Sequence, residues 1–270
     1  MTQRIGIICP GKPILQERAD AVLELAANHY PQMELRLHPA CTQVHGHFAG
    51  DDSTRAAAFL DYANDPELDA IWFGMGGYGS ARIVGDVIEG LGEAAKAKTY
   101  LGYSDCGVML AALYKHGIGA PVHGPLVGDI RRDGGEECVR RALDWFCGDP
   151  QGLEPGLDDR PVAAFNLMTL AMLVGTEFMP DLTDHVVILE EVSEHLYAVD
   201  RLFFHVTQHL RGIAGIRLGE VTAVPENDRP FGFSEEEIAQ YWCEKSGIAY
   251  LGRALIGHSS ANRIVPFGLA

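Results

Sequence analysis

Four times between Ile5 and Tyr114, a short apolar run gives way to a longer stretch whose apolar residues recur at helical spacing. Ile5–Cys9 precedes Leu15–His29, where Ala19, Val22, Leu23, Leu25 and Ala26 share one face. Met33–His38 precedes a helix expected to be capped by Ser53 and to run to about Asn64. Leu68–Phe73 precedes Ala81–Ala97, and Thr99–Gly102 precedes Cys106–Tyr114. A strand that reaches its neighbour through a helix pairs with it in parallel, and such a sheet buries both faces under helices. The first half of the chain is therefore expected to be an α/β domain: a parallel sheet flanked by helices, of Rossmann or flavodoxin type.

After this the texture changes. Residues 148–160 are rich in proline, glycine and acidic side chains, a composition suited to a connector. It divides the chain into an α/β domain over 1–148, a linker over 149–160 and a smaller, β-rich domain over 161–270. In that last part Val186–Leu189 reads as a buried strand and Arg201–Arg211 as a helix. Ser234-Glu235-Glu236-Glu237 opens another helix as a capping box, ending near Ser246.

Charge narrows the partners. A formal net charge of −16 argues against nucleic acid or an anionic membrane surface, and no apolar run has the length of a bilayer span. The N-terminal apolar run is too short for a signal peptide, so a cytoplasmic location is expected, with the six scattered cysteines reduced. A second copy of the chain is a candidate partner.

Gly74-Met75-Gly76-Gly77-Tyr78-Gly79 follows a strand and satisfies G-x-G-x-x-G. As a dinucleotide fingerprint it would seat a pyrophosphate on the next helix N-terminus. It follows the third strand, however, and no strand ending in an acidic residue lies about 20 residues on. Two other readings stand: a tight turn where helix and strand approach, or a turn that exposes backbone N–H groups to an oxyanion.

Ser104 falls between Thr99–Gly102 and the helix from Cys106, as a nucleophile on a strand-to-helix elbow would; a plain helix N-cap is the alternative. Asp105 puts a backbone N–H next to that serine. Farther on, Leu189-Glu190-Glu191 places carboxylates at a strand end, and His258 comes late in the chain, a plain loop histidine being its alternative reading. Serine, carboxylate and histidine are the parts of a hydrolase triad: a hydroxyl, a base for its proton, and an anion to orient the imidazolium. Of Glu190, Glu191 and Glu194 at most one should be catalytic, the others being solvated loop residues; Glu190 is favoured and Glu194 is the second choice. His45 and His47 lack a third metal ligand, and His205 and His209 lack the intervening Glu of a metalloprotease helix. Neither metal nor cofactor is expected.

Taken in order, these segments resemble the LD-carboxypeptidases (muramoyltetrapeptide carboxypeptidases), to which the microcin C immunity peptidases are related. The matching pieces are Phe48-Ala49-Gly50-Asp51 with Arg55, then Gly76-Gly77-Tyr78-Gly79-Ser80 with Arg82, then Gly102-Tyr103-Ser104-Asp105. His123-Gly124-Pro125, Asn166-Leu167 before Gly175-Thr176, and Leu189-Glu190-Glu191 leading to Tyr197 and Asp200-Arg201 follow. Gly257-His258 with Asn262 and Pro266-Phe267-Gly268 closes the series. The chain departs from the family where Met75 replaces an arginine, where Cys106-Gly107-Val108 replaces Ile-Thr-Ala, and where Gly11 replaces a serine; it is also short for the family.

The resemblance implies a serine peptidase in which Ser104 is the nucleophile, His258 the base and Glu190 the orienting carboxylate. The N–H groups of Asp105 and of Gly76 or Gly77 would form the oxyanion hole. Tyr78 and Arg82 become candidate substrate contacts, Arg82 toward a terminal carboxylate; an ordinary helix-surface arginine is the competing reading. The implied substrate is a peptidoglycan-derived tetrapeptide losing its terminal D-alanine in cell-wall recycling. A peptidyl-nucleotide or aminoacyl-nucleotide antibiotic is the alternative substrate, and a nucleotide-binding α/β module the alternative of another class.

Overall fold

The computed structural model describes residues 2–268. Its elements in chain order are β1 (Gln3–Ile8), α1 (Gln16–His29), β2 (Met33–Leu37), α2 (Asp52–Ala63), β3 (Ala70–Phe73), α3 (Ser80–Gly90), β4 (Thr99–Gly102), α4 (Gly107–Lys115), β5 (Ala120–His123) and α5 (Gly135–Phe146). There follow β6 (Val162–Asn166), α6 (Leu167–Leu173), β7 (Val186–Val192), α7 (Leu196–His209), β8 (Gly215–Thr222), α8 (Glu235–Ser246), β9 (Tyr250–Arg253) and β10 (Val265–Pro266). Among the described residues no helix is long and apolar enough to cross a membrane.

Two sheets organise these elements. The first has the order β10-β5-β4-β3-β1-β2, parallel except for β10; the second has the order β6-β7-β8-β9 and is parallel throughout. The apolar runs read as buried strands are buried on both faces: Ala70-Ile71-Trp72-Phe73 is wholly inaccessible, and the Trp72 Nε1 donates to the Pro125 carbonyl at 2.7 Å. Strand order reverses between β1 and β3, so the loops after these strands splay apart and leave a crevice at their carboxyl ends. α4, Gly-Val-Met-Leu-Ala-Ala-Leu-Tyr-Lys, is apolar nearly all round because it packs against β4 and β5 on one side and α6 on the other.

Three local expectations are corrected. α2 is capped by Asp51, whose Oδ1 accepts from the Thr54 N–H at 2.8 Å; Ser53 only donates its hydroxyl to the same carboxylate. The helix expected over Ala81–Ala97 stops at Gly90, and 93–97 form a separate 3₁₀ turn. Asn64 causes the break: its side chain donates to the Gly90 carbonyl (3.0 Å) and accepts from the Gly92 N–H (2.7 Å), taking both groups off the helical ladder. The strand expected over Val186–Leu189 runs on to Val192, carrying Glu190 and Glu191 with it.

The expected linker is stitched down. Leu153 pairs with Ile264, and the buried Glu154 carboxylate takes both guanidinium nitrogens of Arg217 on β8 at 2.6 and 2.9 Å. β10, late in the chain, follows the strands of the second sheet but adds the antiparallel edge strand to the first.

Candidate active site

β4 ends at Gly102, and the chain then has to turn sharply to start a helix. Ser104 carries the turn at φ 61°, a left-handed conformation that costs a non-glycine residue about 1–3 kcal/mol. Its neighbours hold it there. Tyr103 is buried and donates its hydroxyl to Asp129 Oδ1 at 3.3 Å, while Thr169 directs its hydroxyl at the Ser104 carbonyl (3.4 Å). Ser104 is thus an elbow residue, with its side chain lifted out of the helix ladder that an N-cap would serve; the α4 N-cap is Cys106.

The Asp105 side chain is turned the other way, accepting from the Ser80 N–H at 2.9 Å. Burial raises its pKa, against the pull of the Ser80 and Gly79 donors. This contact fills the N-terminus of α3 with a carboxylate. A pyrophosphate bound there in dinucleotide fashion would meet that charge. The glycine turn is closed from the other side by Arg55, which is buried and donates to the Gly79 carbonyl at 2.9 Å and to the Pro10 carbonyl. What the glycines do provide is proximity: a β-carbon on Gly76 would stand 3.0 Å from Ser104 Oγ.

His258 reaches the serine from the far end of the chain. Its Nε2 lies 3.1 Å from Ser104 Oγ and its Nδ1 2.7 Å from Glu190 Oε2. With Nδ1–H donating to the carboxylate, Nε2 is left as the acceptor of the serine proton. The loop bearing it is anchored at several points. Asn262 Oδ1 accepts from the Gly257 N–H (3.1 Å) and from His123 Nε2 (3.0 Å), and burial lowers the His123 pKa to about 4, so that ring is a neutral prop. Arg141 donates to the Asn262 and Ser260 carbonyls at 2.7 and 3.0 Å. Arg132 bridges the Asp129 carboxylate (2.6 Å) and the His258 carbonyl.

Of the three carboxylates considered, the structure brings Glu190 to His258 and does not bring Glu194. Glu191 departs from expectation. It is no solvated loop residue: it is 2% exposed on β7 and accepts from Asn166 Nδ2 (2.7 Å), the Met168 N–H (2.9 Å) and the Val192 N–H (2.8 Å). Burial raises its pKa to about 7 despite those donors.

Tyr78 and Arg82 stand apart from the serine pocket. Arg82 is spent on Asp52, with Nε at 2.9 Å from both carboxylate oxygens and Nη2 at 2.6 Å from Oδ2, and it lines a separate concavity with His45 and Phe48. Tyr78 packs near Phe48 and His47. The cations on the wall of the 390 Å³ Ser104 pocket are instead Lys12, Arg18, Arg131 and Arg132. Sequence reasoning passed over them. The available signals were an unmatched lysine in the turn after β1 and an Arg-Arg pair shortly after β5.

Comparison with known proteins finds relatives over nearly the whole chain. The sequence profile of the LD-carboxypeptidase N-terminal domain matches residues 5–124, and that of the LD-carboxypeptidase C-terminal domain matches residues 161–270. A Synechocystis sp. protein provisionally named a carboxypeptidase is 30% identical over 83% of this chain and 75% of its own. The murein tetrapeptide carboxypeptidase of Pseudomonas aeruginosa is 24% identical over 98% of this chain and 91% of its own. Two solved structures share the fold. Muramoyltetrapeptide carboxypeptidase from Oxalobacter formigenes superposes with a TM-score of 0.81 at 22% identity, over 98% of this chain and 93% of that one. The microcin C7 self-immunity protein MccF, in complex with aspartyl sulfamoyl adenosine, does so with a TM-score of 0.81 at 17% identity, over 99% and 92%.

Proposed function

The chain belongs to the LD-carboxypeptidase family, and from that premise we propose that it is a serine carboxypeptidase that removes the terminal D-alanine from murein tetrapeptides. The observation that carries the reading is His258 held between Glu190 Oε2 and Ser104 Oγ at 2.7 and 3.1 Å, with the serine on a left-handed elbow. In this mechanism His258 Nε2 takes the hydroxyl proton as Ser104 Oγ attacks the scissile carbonyl. Glu190 keeps the proton on Nδ1 and stabilises the imidazolium. The Asp105 N–H and one from Gly76 or Gly77 receive the oxyanion. His258 then protonates the departing amine, and water, deprotonated by the same ring, releases the acyl group from Ser104. Turnover of cell-wall peptides is the role that this substrate implies.

Hydrolysis of an aminoacyl-nucleotide would use the same triad, and the likeness to MccF is one of fold. The pocket favours the peptide. Tyr103, the aromatic side chain on its wall, has its ring buried against His123 and His258 (centroids 5.4 and 4.8 Å), with no face free to stack on a base.

The test is mass spectrometry of a purified murein tetrapeptide incubated with the wild type and with Ser104→Ala. Loss of one alanine with the wild type alone is expected. Loss with both proteins would sink the assignment of Ser104. No loss with either, together with cleavage of an aminoacyl sulfamoyl adenylate, would replace the peptide reading with the nucleotide one.

A further inference from the structure

Resting on the carboxypeptidase reading, we propose that Lys12, Arg18 and Arg131 form the receptor for the substrate's C-terminal carboxylate. An enzyme that removes one residue from a chain end has to recognise that end. The carboxylate of the departing residue lies only about 4 Å from the scissile carbonyl, by backbone dimensions alone. Its receptor therefore has to sit within one residue's reach of Ser104 Oγ.

The chain as a whole carries −16, yet the residues lining the Ser104 pocket include four cations against one carboxylate, Asp129. That carboxylate is already occupied by Arg132 Nε (2.6 Å), the Leu126 N–H (2.9 Å) and the Tyr103 hydroxyl (3.3 Å). Arg132 is occupied in turn, on Asp129 and on the His258 carbonyl. Lys12, Arg18 and Arg131 remain, and among the described residues none of the three has a carboxylate partner. The Arg18 Nε is buried without any hydrogen-bond partner among the described residues. Three unpaired cations at one pocket repel one another, and a buried donor without an acceptor is costly; a bound anion relieves both.

Placement puts these cations beside the nucleophile. A β-carbon on Gly77 would stand 2.2 Å from Lys12 Cδ, so the lysine stem lies across the glycine turn. Gly76, next along that turn, abuts Ser104 Oγ. The Lys12 N–H also donates to the Gly76 carbonyl at 3.3 Å, tying the lysine to the same turn that faces the nucleophile. Arg18 opens α1, which packs on the Val127–Arg131 turn, so Arg18 and Arg131 approach the pocket from two elements in mutual contact. Met75, on the same wall, supplies no charge, which leaves the anion to these three side chains.

The test compares a murein tetrapeptide having a free C-terminal carboxylate with the same peptide as its C-terminal amide. Wild type, Lys12→Met, Lys12→Arg and the exposed-surface variant Arg131→Gln are assayed on both. Calorimetric Kd values for the free-acid peptide are taken in a Ser104→Ala background, where no turnover is needed. Lys12→Met and Arg131→Gln are each expected to lower kcat/KM for the acid about 10- to 100-fold, the range for losing a charge-assisted hydrogen bond, and to leave the amide within about twofold. The Kd should weaken by a similar factor, and Lys12→Arg should retain most of the preference. Equal losses on acid and amide, or a Kd indifferent to both residues, would overturn the receptor while leaving the carboxypeptidase reading intact. If the wild type cleaves neither peptide but binds the acid in a Lys12-dependent way, the activity reading fails and the anion receptor stands.

Discussion

Replacing Glu154 with glutamine should destabilise the protein far more than a change in a connector would. The carboxylate is 2% exposed and accepts from Arg217 Nη1 (2.6 Å), Arg217 Nη2 (2.9 Å), the Gly156 N–H (2.7 Å) and the Leu255 N–H (3.3 Å). Four donors converge on two oxygens. Glutamine keeps one oxygen and turns an NH₂ toward donors on the other side, and it removes the charge opposite a guanidinium whose side chain is only 12% exposed. Breaking one side of a buried ion pair costs about 3–5 kcal/mol, against roughly 0.5 kcal/mol for an ordinary surface substitution. At about 2–4 °C per kcal/mol for a chain of this size, Tm should fall by roughly 6–20 °C in a reversible thermal melt, with urea titration giving the same ranking. Adding Arg217→Met should recover part of the loss, because the orphaned charge goes with it. A fall of less than about 2 °C, or a double variant as unstable as the sum of the two singles, would refute the reasoning and leave residues 149–160 a passive connector.

Gly76→Ala should damage activity and spare the fold. Gly76 is not among the residues with positive φ, but its new β-carbon would crowd Ser104 Oγ at 3.0 Å, so kcat/KM on the tetrapeptide should drop about 10- to 100-fold with a near-normal Tm. Full activity would mean that the serine has room the structure does not show. Glu191 makes stability depend on pH. Its folded pKa is raised from 4.5 to about 7, so between those values the folded state holds a proton that the unfolded chain has shed, and stability falls as pH rises through the window. The loss amounts to about 3 kcal/mol, and Glu191→Gln, which cannot titrate, should gain on the wild type by that order between about pH 5 and about pH 8 in urea unfolding. A difference between the two that does not move with pH would remove burial as the cause.

Much of the N-terminal layer was legible because buried parallel strands are written as unbroken apolar runs and helices by their periodicity. Thr99–Gly102 and the capping box at Ser234 are local patterns with local causes, and the structure has both where the sequence reading put them. The misreadings arise where a distant group decides the outcome. Asn64 ends α3 from 26 residues away, and Glu191 is buried because β6 and α6 supply donors to it. Arg82 reads as a free cation in sequence, yet Asp52, 30 residues earlier, holds it away from the serine pocket.

The sequence by itself determined that the chain is an α/β protein, that Ser104 sits on a strand-to-helix turn, and that Glu190 belongs to the segment of a buried strand with a histidine far downstream. Each of these depends on residue type and short-range spacing. Only the tertiary structure decided that His258, 154 residues from Ser104 and 68 from Glu190, stands between them. It also decided that three cations with no carboxylate partner among the described residues line the same pocket in an acidic chain. Periodicity records which face of an element is buried. It carries no information on which loops meet at the ends of two separate sheets, because that depends on how β10, Asn262, Arg132 and Arg141 draw the late loop back against the first sheet.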